Sequence, residues 1–273
     1  MSILPLTQNQ LYNKAPSIFA TEPYHSVSDR YTYIPTSDVL NIIRDYGWHP
    51  VDAFESRVRI DDKQGFQKHL IRLRHMDSFL TESEHIPEII VTSSHDTSAS
   101  FEIRLGVFRL VCSNGLILAD SMMQAHRIKH IGFKELTVAN AVEDIVNYLP
   151  QMKEKIETYQ NILLSPMEQL SFAKAAAAVR FNLDDVAVDY NSMLETHRDA
   201  DAGNSLWEIF NKIEESSIKG GIRGHNRTTK RNFTSKPIKS IDSTIEIGQK
   251  LFGLADKIAT IKSNHQPSLA LAA

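Results

Sequence analysis

A single cysteine, Cys112, in 273 residues excludes an intrachain disulfide and any multi-thiolate metal cluster built within one chain. No window approaches eighteen consecutive apolar residues, and the opening MSILPLTQNQ has neither the basic start nor the apolar run of a secretory signal, so a cytoplasmic location is expected. GxxxxGK[ST] and GxGxxG are both absent, which leaves nucleotide-driven chemistry without a motif, and no cofactor is expected. There is no internal repeat. A net charge of −3 and a pI near 6.4 exclude a uniformly basic, histone-like binder, so any contact with nucleic acid has to be local.

What is present is ordinary core-forming material: 42% hydrophobic and 23% charged residues, enough for one large domain or two modest ones. The pattern predicts an α+β chain, organised as a single domain with four stretches. Residues 1–47 hold proline-punctuated segments, a short extended element at Tyr31–Ile34 and a helix from Thr36 or Ser37 to about Tyr46. Residues 48–116 change to a period of two, which predicts a central antiparallel sheet. Phe54, Val58 and Ile60 alternate with Glu55, Arg57 and Arg59; after IDDKQG, His69, Ile71 and Leu73 alternate with Lys68, Arg72 and Arg74; two further runs follow at Pro87–Thr92 and Phe101–Val111. Residues 117–262 are helical. Apolar spacing runs from Leu136 to Leu164 despite Pro150, Ser165-Pro166 with Glu168 predicts a capped helix, Asn204 or Ser205 predicts another ending at Gly220-Gly221, and Asp242 or Ser243 opens the last. Residues 263–273 read as a loose tail.

Two concentrations of positive charge stand out. Ser216–Ile241 carries Lys219, Arg223, Arg227, Lys230, Arg231, Lys236 and Lys239 with no acidic residue. Those seven cations, set against −3 overall, leave −10 on the rest of the chain, an asymmetry that points to an anionic partner. The other is the expected hairpin: if its apolar positions face the core, Arg57, Arg59, Lys68, Arg72 and Arg74 share the opposite face, where water or a polyanion would cover them. Tyr31, Tyr33, Phe101 and Phe108 could stack on bases beside that face, although core packing is the competing use.

Several runs together resemble a known family: PSIFA, SDRYTYIPT at Ser28–Thr36, HLIRLR, IPEIIVTSSHDTSASFEI, FRLVCSNGLI, SLWEIFNKIEESSIKGG and KPIKSIDSTIEIGQKLFGLA. The chain is similar over nearly its whole length to uncharacterised bacterial proteins of prophages and plasmids that share a domain of unknown function. The resemblance implies a mobile-element origin and carries over no catalytic residues.

Catalytic readings rest on less. Cys112 could act as a nucleophile with His95 as base and Asn114 or Asp96 as orienter, but a lone cysteine at the end of a β-rich run is more often a small buried hydrophobe. Ser94, His95 and Asp96 are adjacent, whereas triad members converge from separate elements, so a turn is the simpler role. His126 and His130 have the i, i+4 spacing of a helical metal pair without a third ligand, and no metal site is expected. The leading expectation is therefore a non-catalytic nucleic-acid binder, of single-stranded DNA for instance, acting in phage or plasmid DNA metabolism. The alternatives are a protein-interaction module directed at host defence or restriction, and a cysteine-dependent hydrolase. No membrane partner is expected.

Overall fold

The computed structural model describes residues 4–27, 31–79, 85–109, 125–128 and 134–265. They form two compact units, Met1–Leu149 and Pro150–Ala273, with an α+β architecture and a helix-rich C-terminal half.

In the first unit, α1 (Gln8–Lys14) starts with a reciprocal cap in which the Thr7 hydroxyl accepts from the Gln10 amide and the Gln10 side chain accepts from the Thr7 amide. Pro16 begins a short 3-10 turn to Phe19, and α2 (Thr36–Asp45) follows, burying Val39, Leu40 and Ile43 at helical spacing. Five strands then form an antiparallel sheet in sequence order: β1 (Trp48–Glu55), β2 (His69–His75), β3 (His85–Ser93), β4 (Phe101–Arg109) and β5 (His126–Ile128). α1 and α2 pack on β1.

The ladder assigns side chains to faces. Ile71 pairs with Val91 and Val91 with Ile103, so one face is aliphatic and buried. Asp52 pairs with Arg72, Arg72 with Ile90 and Ile90 with Arg104, so the other face mixes charged and apolar side chains. It too is covered: Leu70, Arg72, Arg74, Glu88, Ile90 and Thr92 are all buried.

This corrects the expectation of an exposed cationic hairpin face. β1 ends at Glu55, and Arg57 and Arg59 are exposed in the connection that follows, which turns through a 3-10 segment at Asp61–Lys63. Arg72 and Arg74 are 3% and 5% exposed. Glu88 pairs with both, accepting from Arg72 Nε at 2.6 Å and Nη2 at 2.9 Å and from Arg74 Nε at 2.6 Å. Asp52 lies 3.7 Å from Arg72. Lys68 is half-buried. Tyr31–Ile34 joins no strand ladder among the described residues, Phe101 is buried, and Tyr33 is half-buried, so these serve as packing; the Phe108 side chain lies outside the described residues.

α3 (Glu135–Asn161) passes through Pro150, where the division between the units falls, at the cost of one helical hydrogen bond. In the second unit α4 (Pro166–Arg180) and α5 (Leu206–Lys219) each open with the cap their sequences predict, Ser165 with Glu168 and Ser205 with Glu208. α5 packs against α4 and α6 (Ile241–His265), and Trp207, Ile209, Phe210 and Ile213 are fully buried. The Trp207 and Phe210 rings stack at 5.6 Å, and Phe210 meets Phe252 of α6 edge-on at 5.8 Å. A second antiparallel sheet joins β6 (Val186–Val188), β7 (Arg223–Asn226) and β8 (Asn232–Thr234) in that order.

Candidate functional site

The basic segment is a folded hairpin on a fixed stem. Gly220 ends α5 with φ 86°, and a Cβ there would lie 2.4 Å from the Ser235 carbonyl oxygen, so glycine is required where the returning strand crosses the helix end. Arg180, at the end of α4, donates to the carbonyls of Ser216 and Ser217 in the last turn of α5 and to that of Lys236. A cation thus satisfies terminal carbonyls at the negative end of the helix and ties down the far side of the hairpin.

Between those anchors β7 and β8 pair through Arg223↔Thr234 and His225↔Asn232. At the tip, the Asn226 side chain accepts from the amides of Thr228 and Thr229 at 3.0 and 2.7 Å, and Lys230 takes the left-handed conformation at φ 58°. Phe233 lies across Gly224 and 5.8 Å from Phe181, which places the Gly224/Phe233 face toward α4. Arg223, His225, Asn232 and Thr234 alternate onto the other face.

The seven cations divide into two groups. Lys219 pairs with Glu215 at 2.8 Å, and Arg223 reaches Glu195 at 2.5 Å and Asp189 at 3.3 Å. The Glu195 hydrogen bond, reinforced by its charge, raises the Arg223 pKa further above its ordinary value. Arg227, Lys230, Arg231, Lys236 and Lys239 are exposed, and among the described residues no carboxylate lies within ion-pair distance of them.

The first unit contains a different polar cluster. Ser17, Thr36, His69 and His95 are each at 0% exposure. His69 Nδ1 lies 3.3 Å from the Gln67 carbonyl, which can only accept, so that nitrogen carries the proton. His69 Nε2 then accepts from the Thr36 hydroxyl at 3.0 Å, and the Thr36 oxygen accepts from His95 Nε2 at 3.3 Å. Burial, then the neighbouring His95, lowers the His69 pKa to about 3, and burial first of all raises those of Tyr31 and Tyr33 to about 12. The network joins the N-terminal segment, α2, β2 and the loop after β3, and its four side chains are buried.

Asp96 does not orient His95. Its carboxylate accepts from the Ser98 amide and hydroxyl and from Lys63, and although burial opposes ionisation these partners hold its pKa below the usual value. Ser94 bonds to the Ala99 amide and carbonyl, so this stretch does shape its own turn. Cys112, Asn114 and His130 lie outside the described residues. His126 sits in β5, which removes the helical basis for a His126/His130 metal pair, and among the described residues no cluster of three metal-ligating side chains occurs. No helix among them is long and apolar enough to cross a membrane.

A family model described as "Domain of unknown function (DUF932)" matches residues 23–242, most of the chain and both units. The chain belongs to this DUF932 family. Two relatives from Escherichia coli (strain K12), UPF0380 protein YafZ and UPF0380 protein YfjQ, are each 33% identical over 256 residues, covering 94% of this chain and 92% of theirs. No solved structure matches. The match includes Thr36, His69 and His95 of the buried cluster and the whole basic hairpin, while α1, Ser17 and most of α6 lie outside it.

Three features were missed in the sequence. Arg180 as the clamp was detectable as a basic residue at a helix end, but its acceptors lie 36 to 56 residues away. The pairing of Arg223 with Asp189 and Glu195, and the link from Thr36 to His69 and His95, depend on the tertiary fold and have no local signature.

Proposed function

We propose that this protein binds nucleic acid non-catalytically, within the DNA metabolism of a mobile element such as a phage or plasmid, with the β7–β8 hairpin and the lysines after it holding the sugar-phosphate backbone. The observation that carries this reading is the division of charge: Arg227, Lys230, Arg231, Lys236 and Lys239 are exposed without a carboxylate partner among the described residues, on a segment whose backbone is fixed at both ends. Cations already neutralised in the fold contribute little to counterion release, whereas open ones displace condensed counterions from phosphates. Arg72 and Arg74 therefore drop out of the reading, while Arg57 and Arg59, exposed beyond β1, stay in it as a second set.

The test is oligonucleotide binding by fluorescence anisotropy over a salt series. Binding should weaken steeply with salt, and replacing Arg227, Lys230, Arg231 and Lys236 by Gln should flatten the log–log slope by about one unit per lost contact on duplex and less on a single strand. An absence of binding at low salt, or a slope unchanged by the substitutions, would overturn the proposal and turn the search toward a protein partner.

A further inference from the structure

We propose that the outer face of the second sheet is a base-binding subsite, so that the ligand is a single-stranded nucleic acid whose unpaired bases rest over β7 and β8 while its phosphates follow the hairpin tip. This rests on the nucleic-acid reading above and adds strandedness to it.

The face forms a depression of about 550 Å³, lined by Asp189, Arg223, Gly224, His225, Asn232 and Thr234 among others. That size is within the roughly 300–1,000 Å³ of small-ligand sites. Its chemistry differs from that of the tip beside it. Arg223 is engaged by two carboxylates, Asp189 and Glu195, so the local charge is not positive and a phosphate gains nothing there. The groups on offer suit a base instead: the planar imidazole of His225, 3.1 Å from Asn232 Oδ1, the Asn232 amide, the Thr234 hydroxyl, and carboxylate oxygens able to accept from exocyclic amines.

The open cations begin immediately beyond, at Arg227. Two residues of strand, about 7 Å, separate it from His225, a span that a base and its own phosphate can bridge. In a duplex the bases are stacked and paired with their faces turned inward, out of reach of a shallow sheet surface. Stacking on a protein ring and hydrogen bonding to base edges both require the strand to be single.

Three fluorescent probes of equal length at one moderate salt concentration test this: a mixed-sequence single strand, an abasic single strand with the same phosphates, and the corresponding duplex. The base-bearing single strand should bind roughly tenfold tighter than the abasic strand, and tighter than the duplex despite the greater charge of the duplex. His225→Ala with Asn232→Ala should erase the preference over the abasic strand while leaving abasic affinity within about twofold, since the phosphate contacts are untouched. If the double variant loses its melting transition, His225→Gln alone makes the comparison. Equal binding of base-bearing and abasic strands, or a preference that survives the substitutions, would refute the subsite while leaving backbone binding intact. Failure of all three probes to bind at low salt would remove both proposals.

Discussion

Replacing Glu88 by Gln tests whether the second face of the large sheet is a sealed interior or a solvated surface. The carboxylate accepts three hydrogen bonds of 2.6, 2.9 and 2.6 Å from Arg72 and Arg74. The side chains of all three residues are no more than 6% exposed. Gln keeps the shape and removes the charge, so two guanidiniums remain in a dry setting with Asp52, 3.7 Å from Arg72, as a surviving carboxylate. Removing one member of a buried ion network costs about 3–5 kcal/mol. At roughly 2–4 °C per kcal/mol for a unit of this size, the melting point should fall by about 6–20 °C. The chain has two tryptophans, Trp48 in the first unit and Trp207 in the second, both buried. In a Trp207→Phe background, Trp48 emission follows the unit that contains Glu88. Substituting Arg72→Met, Arg74→Leu and Glu88→Leu together should recover much of the loss, because the three buried charges are removed at once and Asp52 keeps its pair with Lys14 at 2.8 Å. A shift of under about 1 kcal/mol for Glu88→Gln would mean that water reaches these arginines, and would restore them as candidate phosphate contacts.

In the second unit, Trp207→Ala should cost about 3–5 kcal/mol, read as a lowered urea midpoint, because the ring is buried and stacked on Phe210; a change near zero would contradict that packing. Glu214 is buried on α5, and desolvation, followed by the neighbouring Glu215, raises its pKa from 4.5 to about 8. A folded-state pKa above the unfolded value contributes stability that is complete below about pH 4.5 and is lost as pH rises toward 8, so Glu214→Gln should gain stability over the parent by a few kcal/mol across that window. Parallel urea-midpoint profiles for parent and variant between pH 5 and 8.5 would refute it.

The elements that the sequence displays are those whose cause is local. Ser165 with Glu168 and Ser205 with Glu208 are capping boxes complete within four residues, Gly220 is the left-handed residue past a helix end, and the fourth strand alternates apolar and charged residues from Phe101 to Leu105. Where the reading failed, the deciding partner was distant. Alternation put Arg72 and Arg74 on one face correctly, but whether that face meets water depends on Glu88, 14 and 16 residues away, and on what packs above it. Val58 and Ile60 continue the alternation past Glu55, yet pairing on β2 stops at His69 and leaves them without a ladder. Of the candidate site, the cluster of cations was visible; which of them are already neutralised was not, because Asp189 and Glu195 reach Arg223 only through the fold.

The Arg180 clamp has a consequence for how this region can change over time. By holding the end of α5 and the Lys236 carbonyl together, it closes the stem of the hairpin independently of the tip. The span from Arg227 to Lys230 is then a small loop whose ends are already joined, and doubling its length costs only about 0.6 kcal/mol of closure entropy. Residues can be inserted, deleted or exchanged at that apex with little effect on the helices beneath. The hairpin is thus a replaceable cassette on a constant platform, whose apex can change in sequence and length without redesigning the helices that carry it.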